Sequence, residues 1–192
     1  MTDINLQPWI ETFSGEKFYF LEPTPDMVHI EDIAHSLSHQ CRFAGHVSKF
    51  YSVAEHSINV CNLVQLSTKH RAPQKLYLQA LLHDASESYL IDVPSPLKQH
   101  LPGYKDIEFR VMACIAQRFN FEWPPNPRVT DADHAQLKTE AKWLLPSQGD
   151  DWRHKYETQI VHGNIPRCVE PKVAKELFLG VFESLTRYEL DS

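Results

Sequence analysis

The sequence lacks the features that mark membrane and exported proteins. No run of apolar residues approaches the ~20 that a membrane-spanning helix needs. The chain starts Met1-Thr2-Asp3-Ile4-Asn5, without the basic segment and the apolar run of a secretory leader. These two absences predict a cytoplasmic protein. Internal repeats and low-complexity tracts are missing as well, so a repeat architecture is not expected.

Paired cysteines and basic blocks are also missing. The four cysteines are widely spaced without a Cys-x-x-Cys pair, so we expect four free thiols: Cys41, Cys61, Cys114 and Cys168. Lysine and arginine total 19 against 25 acidic residues, which gives a formal charge of -6 and makes duplex nucleic acid an unexpected partner. A small anionic substrate stays compatible, because a metal ion and a few basic side chains can supply local positive charge.

The amino-acid composition is typical of one globular domain. Hydrophobic residues make up 42% and charged residues 23% of the chain, and its length suits a single domain over residues 1–192. Apolar residues recur at helical spacing from His29 onward and then in the segments 52–66, 73–90, 104–120, 127–145 and 171–188. Residues 8–28 resemble a short hairpin or extended arm. The predicted fold class is therefore all-α, a helical bundle with a short N-terminal hairpin or arm.

Two of these helical segments have an apolar face that looks purely structural. The segment 104–120 carries a regular stripe from Ile107 to Phe119. The last helix, about 171–188, is predicted to bury five apolar residues: Val173, Leu177, Val181, Phe182 and Leu185.

Polar residues interrupt the apolar stripes of three other segments. They are His56 in 52–66, the pair His83-Asp84 in 73–90, and Asp133 in 127–145. A buried charge costs several kcal/mol unless it is paired, and the matching stripe positions offer no lysine or arginine. One metal ion would satisfy all of these groups. The mixed nitrogen and oxygen set suits Zn²⁺, Mn²⁺, Fe²⁺ or Co²⁺, with Mg²⁺ as an additional ion.

Each of these residues alone would have an ordinary structural interpretation. A single His56 is more often a hydrogen-bonded core histidine, and a single Asp133 is more often a helix cap or an ion-pair partner. Their joint occurrence with an adjacent His-Asp pair favours the metal site instead. Asp131 is the alternative ligand in its segment, although it falls off the stripe.

Glu87 is the candidate general base. It follows His83 by four residues and Asp84 by three, so a continuous helix would place it on the same side as that pair. A carboxylate there could take the proton of an attacking water, a role that typically contributes ~10²–10⁴-fold in rate.

The order His56, His83-Asp84, Asp133 resembles the HD-domain metal-dependent phosphohydrolases. Local strings strengthen the resemblance over roughly residues 12–145: Cys41-Arg42-Phe43-Ala44-Gly45-His46, Phe50-Tyr51-Ser52-Val53-Ala54-Glu55-His56-Ser57 and Leu82-His83-Asp84-Ala85-Ser86-Glu87. They are similar to the bacterial 5′-deoxynucleotidases and to the phage dATP triphosphohydrolases. The resemblance implies a deoxynucleotide substrate, a homo-oligomer and, for a phage protein, location in the host cytoplasm.

The resemblance also implies roles for residues that bind substrate. Arg42 and Phe43 match the arginine and aromatic pair that hold phosphate and base, and Arg42 would also offset charge in the transition state. The string Asp92-Val93-Pro94-Ser95-Pro96-Leu97-Lys98 resembles a loop that contacts sugar and phosphates. Asp92 would accept a hydrogen bond from the sugar 3′-hydroxyl and Lys98 would reach a phosphate. His46 would either contact phosphate or pack beside the site.

The sequence therefore predicts a dATP triphosphohydrolase that releases deoxyadenosine and triphosphate, with a deoxynucleoside 5′-monophosphatase as the alternative. A non-catalytic nucleotide-binding HD scaffold is a rival hypothesis. A cyclic-nucleotide or guanosine-tetraphosphate hydrolase is another rival, because it would share the metal chemistry.

Overall fold

The computed structural model describes residues 8–150, 158 and 162–187. In this part of the chain, strand is confined to one antiparallel pair, β1 (Ile10–Glu11) and β2 (Lys17–Phe18), in which Ile10 lies opposite Phe18. Both strands fall inside the segment 8–28, so the predicted N-terminal hairpin is confirmed. The remaining regular structure is helical, which confirms the all-α class.

Eight α-helices occur in the described residues: α1 (Ile30–His39), α2 (Val53–Ser67), α3 (Gln74–Leu81), α4 (Glu87–Leu90), α5 (Ser95–Lys98), α6 (Tyr104–Phe119), α7 (Pro127–Leu144) and α8 (Pro171–Thr186). Short 3₁₀ helices, Pro25–Met27 and Phe43–Gly45, precede α1 and α2. None of these described helices has the length and apolar character needed to cross a membrane.

The central helix is α2, which packs against α1, α3, α7 and α8. Ser52 caps its N-terminus, because the hydroxyl oxygen accepts a hydrogen bond of 3.1 Å from the backbone N–H of Glu55. Since neighbours surround α2, its fully buried His56 has no access to water and must find polar partners within the protein.

The hairpin is fastened to α1 by a buried carboxylate. Asp32, on the first turn of α1, accepts hydrogen bonds of 2.7 Å from the backbone N–H of Ser14 and 2.9 Å from its hydroxyl. On the same helix Ile33, Ala34 and Leu37 are fully buried, as the periodicity predicts. The polar contact therefore orients the hairpin turn, and the apolar face anchors α1 in the core.

The predicted single helix over 73–90 is wrong. Helix α3 ends at Leu81, a turn follows, and α4 begins at Glu87, so His83 and Asp84 lie in the turn rather than on a helix. Neighbouring residues of a regular helix point about 100° apart. The Nε2 atom of His83 nevertheless lies 3.3 Å from the Oδ2 atom of Asp84, so the turn brings together side chains that a continuous helix would separate.

The predicted buried face of α8 also needs correction. Leu185 is buried, and Val181 and Phe182 pack partly buried against the core. Val173 and Leu177, however, are 40% and 39% exposed, and the fully buried positions beside them are Ala174 and Phe178. The buried face is thus displaced by one residue in the first half of the helix, where α8 packs against α1 and α2.

Candidate metal centre

Polar side chains from two helices and one turn lie close together in the protein. His56 comes from the first turns of α2, His83 and Asp84 come from the turn after α3, and Asp133 comes from the middle of α7. Helices α3 and α7 both pack against α2, which explains why these side chains meet.

The two histidines and Asp84 form a compact set of ligand atoms. The Nε2 atoms of His56 and His83 lie 3.3 Å apart, and the Oδ2 atom of Asp84 is 3.6 Å from the former and 3.3 Å from the latter. Ligands bonded to one ion at ~2.0–2.1 Å lie roughly 3–3.4 Å from each other in tetrahedral geometry. This His-His-Asp cluster could therefore hold a metal ion.

The hydrogen bonds of the two imidazoles fit a cation at this point. Nδ1 of His56 is 2.7 Å from a carboxylate oxygen of Glu140, and Nδ1 of His83 is 2.9 Å from the carbonyl oxygen of Ala80. Both partners are acceptors, so each Nδ1 carries a proton that it donates to its partner. When the two rings are otherwise unprotonated, their Nε2 lone pairs face each other, which is repulsive unless a cation lies between them. The donor set fits a divalent metal ion of the N- and O-binding type.

Asp133 lies beside this cluster. Its Oδ1 atom is 3.2 Å from Nε2 of His56 and 3.9 Å from Nε2 of His83. The structure therefore brings all four predicted ligands together. The alternative ligand Asp131 instead lines a separate cavity with Lys69 and Arg71.

Glu140 is a buried residue of this site that the sequence analysis missed. It is fully buried on α7 and accepts hydrogen bonds from Nδ1 of His56, the hydroxyl of Tyr51 at 2.8 Å and Nε of Arg42 at 3.1 Å. Glu140 follows Asp133 by seven residues, two helical turns, so both lie on one helix face. That spacing was the available signal, but Lys138 and Lys142 make the segment look like an exposed surface.

Charges shift the pKa values of these groups in opposite directions. Burial and the nearby Arg42 lower the pKa of His56, but the carboxylates of Glu140 and Asp133 outweigh them and raise it to about 10. Burial raises the pKa of Glu140, and the positive charges of His56 and Arg42 lower it below its usual range. The pKa of Asp84 is lowered in the same way, chiefly by His83, against the effect of burial. The carboxylates are therefore ionised and available as ligands or acceptors.

A cavity of about 390 Å³ opens beside the cluster. Four of the five residues that the resemblance assigns to substrate line it: Arg42, Phe43, His46 and Asp92. The rest of its wall is mostly apolar and includes Pro94, Leu137 and Leu145. Arg42 joins this cavity to the cluster, because its Nη1 atom lies 3.5 Å from Oδ2 of Asp84 while its Nε donates to Glu140.

Unusual backbone conformations place the cavity residues. Phe43 and Ala44 have φ values of 57° and 51°, and Ile91, directly before Asp92, has a φ of 65°. Left-handed backbone is costly for residues other than glycine and concentrates at functional sites. Gln40 fixes the last segment, since its side chain accepts from the backbone N–H of Asp92 and donates to the carbonyl of Glu87, both at 2.9 Å.

A second cavity, of about 400 Å³, borders the cluster directly. His83, Asp84, Asp133 and Lys98 line it, together with an aromatic wall formed by Phe109 and Trp123. Lys98 therefore lies in a different cavity from the other residues assigned to substrate.

Lys98 is bound by two carboxylates. Its Nζ atom lies 3.2 Å from Oε1 of Glu87 and 2.6 Å from Oε1 of Glu108, a residue that the sequence analysis did not select. Glu87 itself is buried, and its Oε2 atom has no hydrogen-bond partner among the described residues. Burial, reinforced by the negative charges of Asp84 and Asp92, raises the pKa of Glu87 well above its usual range.

The comparisons with known proteins give two relatives. The chain is 42% identical over 144 residues to the uncharacterized protein YfdR of Escherichia coli strain K12, a match that covers 75% of this chain and 76% of the relative. It is 38% identical over 189 residues to the uncharacterized protein RCAP_rcc00048 of Rhodobacter capsulatus, covering 93% of this chain and 96% of that protein. No protein-family model matches the sequence.

Proposed function

This chain belongs to the family that includes YfdR of Escherichia coli and RCAP_rcc00048 of Rhodobacter capsulatus, and we propose that it is a divalent-metal-dependent phosphohydrolase acting on deoxynucleotides. The observation that carries the proposal is the cluster of His56, His83 and Asp84, with Asp133 beside it and Arg42 at its edge. A divalent ion held there would lower the pKa of a bound water towards ~7 and would polarise a phosphoryl oxygen.

Arg42 is suited to hold the phosphate. Its Nε is engaged by Glu140 and its Nη1 is near Asp84, and a guanidinium has five N–H groups in all. The remaining groups can donate to phosphate oxygens and offset the negative charge that develops on them. In this proposal Glu87, whose pKa is raised by burial, takes the proton of the attacking water.

The cavity next to Arg42 is suited to the nucleoside. Phe43 offers a ring on which a base can stack, and the half-buried Asp92 can accept a hydrogen bond from the sugar 3′-hydroxyl. His46 lines the same cavity and is the further candidate for contact with phosphate. The mostly apolar wall supports a bound nucleoside, because pockets for such ligands combine apolar surface with few polar groups.

The best candidate substrate is dATP, cleaved to deoxyadenosine and triphosphate, on the strength of the resemblance to the phage enzymes. One observation favours the alternative, a deoxynucleoside 5′-monophosphatase. The two carboxylates that bind Lys98 already neutralise its charge, which leaves it less able to bind a triphosphate tail.

The experiment that tests the proposal is a substrate panel with product analysis. The purified protein is incubated with dNTPs, dNMPs and ribonucleotides in the presence of Co²⁺, Mn²⁺, Mg²⁺ or Zn²⁺, and products are separated by anion exchange. Triphosphate and deoxyadenosine from dATP support the first candidate, and orthophosphate from dNMPs alone supports the second. Binding of nucleotides without turnover under every condition would contradict the proposal and favour a non-catalytic scaffold.

A further inference from the structure

We propose that Glu140 is a positioning residue that holds a metal ligand and the phosphate-binding arginine with the two oxygens of a single carboxylate. The inference rests on the proposed function, since it assigns metal binding to His56 and phosphate binding to Arg42. In that scheme Glu140 itself contacts neither the metal nor the substrate.

The contacts divide cleanly between the two oxygens. Oε1 accepts from Nδ1 of His56 at 2.7 Å and from the hydroxyl of Tyr51 at 2.8 Å, whereas Oε2 accepts from Nε of Arg42 at 3.1 Å. Glu140 is fully buried and Arg42 is 8% exposed, so water does not screen or replace these bonds. The position of each partner therefore depends on the same carboxylate.

The Oε1 contact controls which nitrogen of His56 can bind a metal. A carboxylate facing Nδ1 requires the proton on that nitrogen, which leaves the Nε2 lone pair free towards His83 and Asp84. Without this acceptor, the proton can move to Nε2 and remove a ligand.

The Oε2 contact controls the direction of Arg42. A guanidinium is a planar fork, so fixing its Nε sets where the other N–H groups point. With Nε on Glu140 and Nη1 near Asp84, the fork is held at the border between the metal cluster and the nucleoside cavity. Glu140 thus fixes the metal ligand His56 and the phosphate-binding Arg42 relative to each other.

Two substitutions distinguish the effect of the contact with His56 from the effect of the contact with Arg42. Glu140→Gln keeps the shape and offers one oxygen and one NH₂ group. In the metal-loaded protein the amide oxygen must face Nδ1–H of His56, which turns the NH₂ group towards Nε–H of Arg42, and two donors then oppose each other. Glu140→Ala removes both contacts. Glu176→Gln, on the exposed surface of α8, is the matched control for loss of one negative charge.

The probes are Co²⁺ alone and orthophosphate, both followed in the visible spectrum of the Co²⁺-loaded full-length protein. We expect Glu140→Gln to bind Co²⁺ nearly as tightly as the wild type but to bind orthophosphate about tenfold or more weakly. Glu140→Ala should also lose about 10–100-fold in Co²⁺ affinity, as is usual when the partner of a metal-ligating histidine is removed. Glu176→Gln should match the wild type in both titrations.

The opposite results overturn the inference. Wild-type affinities for both probes in Glu140→Ala would show that the carboxylate positions neither partner. Equal losses for both probes in Glu140→Gln would contradict the division between the two oxygens. If Glu140→Ala does not fold, the isosteric Glu140→Gln decides the question alone. A wild type that binds no Co²⁺ would overturn the inference with the proposed function, whereas binding of both probes without hydrolysis of any nucleotide would overturn only the function.

Discussion

The Nζ atom of Lys98 lies 3.2 Å from a carboxylate oxygen of Glu87, and the same ammonium group is 2.6 Å from Glu108. The lysine that the sequence resemblance assigns to a substrate phosphate is therefore paired with the candidate general base. The burial of Glu87 and the nearby negative charges of Asp84 and Asp92 raise its pKa, and Lys98 acts against this shift. The ion pair thus tunes the acidity of the base.

Replacing Lys98 should move the pH dependence of catalysis. A general base works only when deprotonated, so kcat/KM should fall as the pH drops through the raised pKa of Glu87. In Lys98→Met the stabilising positive charge is absent and that pKa rises further, so the acid limb of the pH–rate profile should move to higher pH. The control is Lys105→Met, because Lys105 lines the same cavity as Lys98. In this variant the acid limb of the pH–rate profile should lie at nearly the wild-type pH. An acid limb at lower pH in Lys98→Met would contradict the pairing.

Glu87→Gln should retain the metal and lose activity. The amide has nearly the shape of the carboxylate but cannot accept the proton, so kcat should fall by at least ~10²-fold. Metal content, measured by atomic emission on the same preparation, should equal that of the wild type, because His56, His83 and Asp84 are unchanged. Normal turnover in this variant would mean that another group or the phosphate itself takes the proton.

Most of the helices and the residues of the candidate metal cluster could be predicted from sequence because both depend on local patterns. The period of 3.6 residues shows which helix faces are apolar, and His56 and Asp133 stand out as polar residues on those faces. The break between Leu81 and Glu87 could not be predicted in this way, since the segment contains no proline or glycine. In the folded protein, His83 and Asp84 of this turn lie beside His56 from another helix, a contact that the sequence pattern does not reveal.

Glu140 and Glu108 escaped prediction for a related reason. A glutamate near lysines in an amphipathic helix is typical of an exposed face, and sequence spacing does not reveal a partner that is distant along the chain. Arg42 precedes Glu140 by 98 residues, and their contact joins α7 to the segment between α1 and α2. The same limit applies to α8, where Ala174 and Phe178 rather than Val173 and Leu177 are fully buried.

Asp84→Ala should abolish metal binding and the stabilisation that the metal provides. A metal ion that binds only the folded wild type at about 100 times its Kd contributes roughly 2.7 kcal/mol. For a chain of this length, that corresponds to a rise in Tm of roughly 5–10 °C. Differential scanning fluorimetry with Co²⁺ and with EDTA should show this rise for the wild type, whereas Asp84→Ala should melt at one temperature in both. A metal-dependent rise retained in Asp84→Ala would remove this residue from the ligand set.

Asp92→Ala should weaken the preference for deoxynucleotides. Asp92 lines the nucleoside cavity. Its backbone N–H donates a hydrogen bond of 2.9 Å to the side-chain oxygen of Gln40, which fixes the position of Asp92. A carboxylate held against the sugar accepts from the 3′-hydroxyl and leaves little room for a 2′-hydroxyl, so the wild type should discriminate against ATP. The alanine side chain of the variant neither accepts this hydrogen bond nor crowds the 2′-hydroxyl. We therefore expect kcat/KM for dATP to fall and kcat/KM for ATP to fall less or to rise, so that the ratio of the two constants approaches one.

The measurement is the ratio of kcat/KM for dATP to kcat/KM for ATP. The control is His162→Ala, which changes a residue that lines neither of the two cavities next to the cluster. If Asp92→Ala lowers both constants by the same factor, the residue contributes binding energy but no selection of the sugar, and the deoxy preference must come from another wall of the cavity.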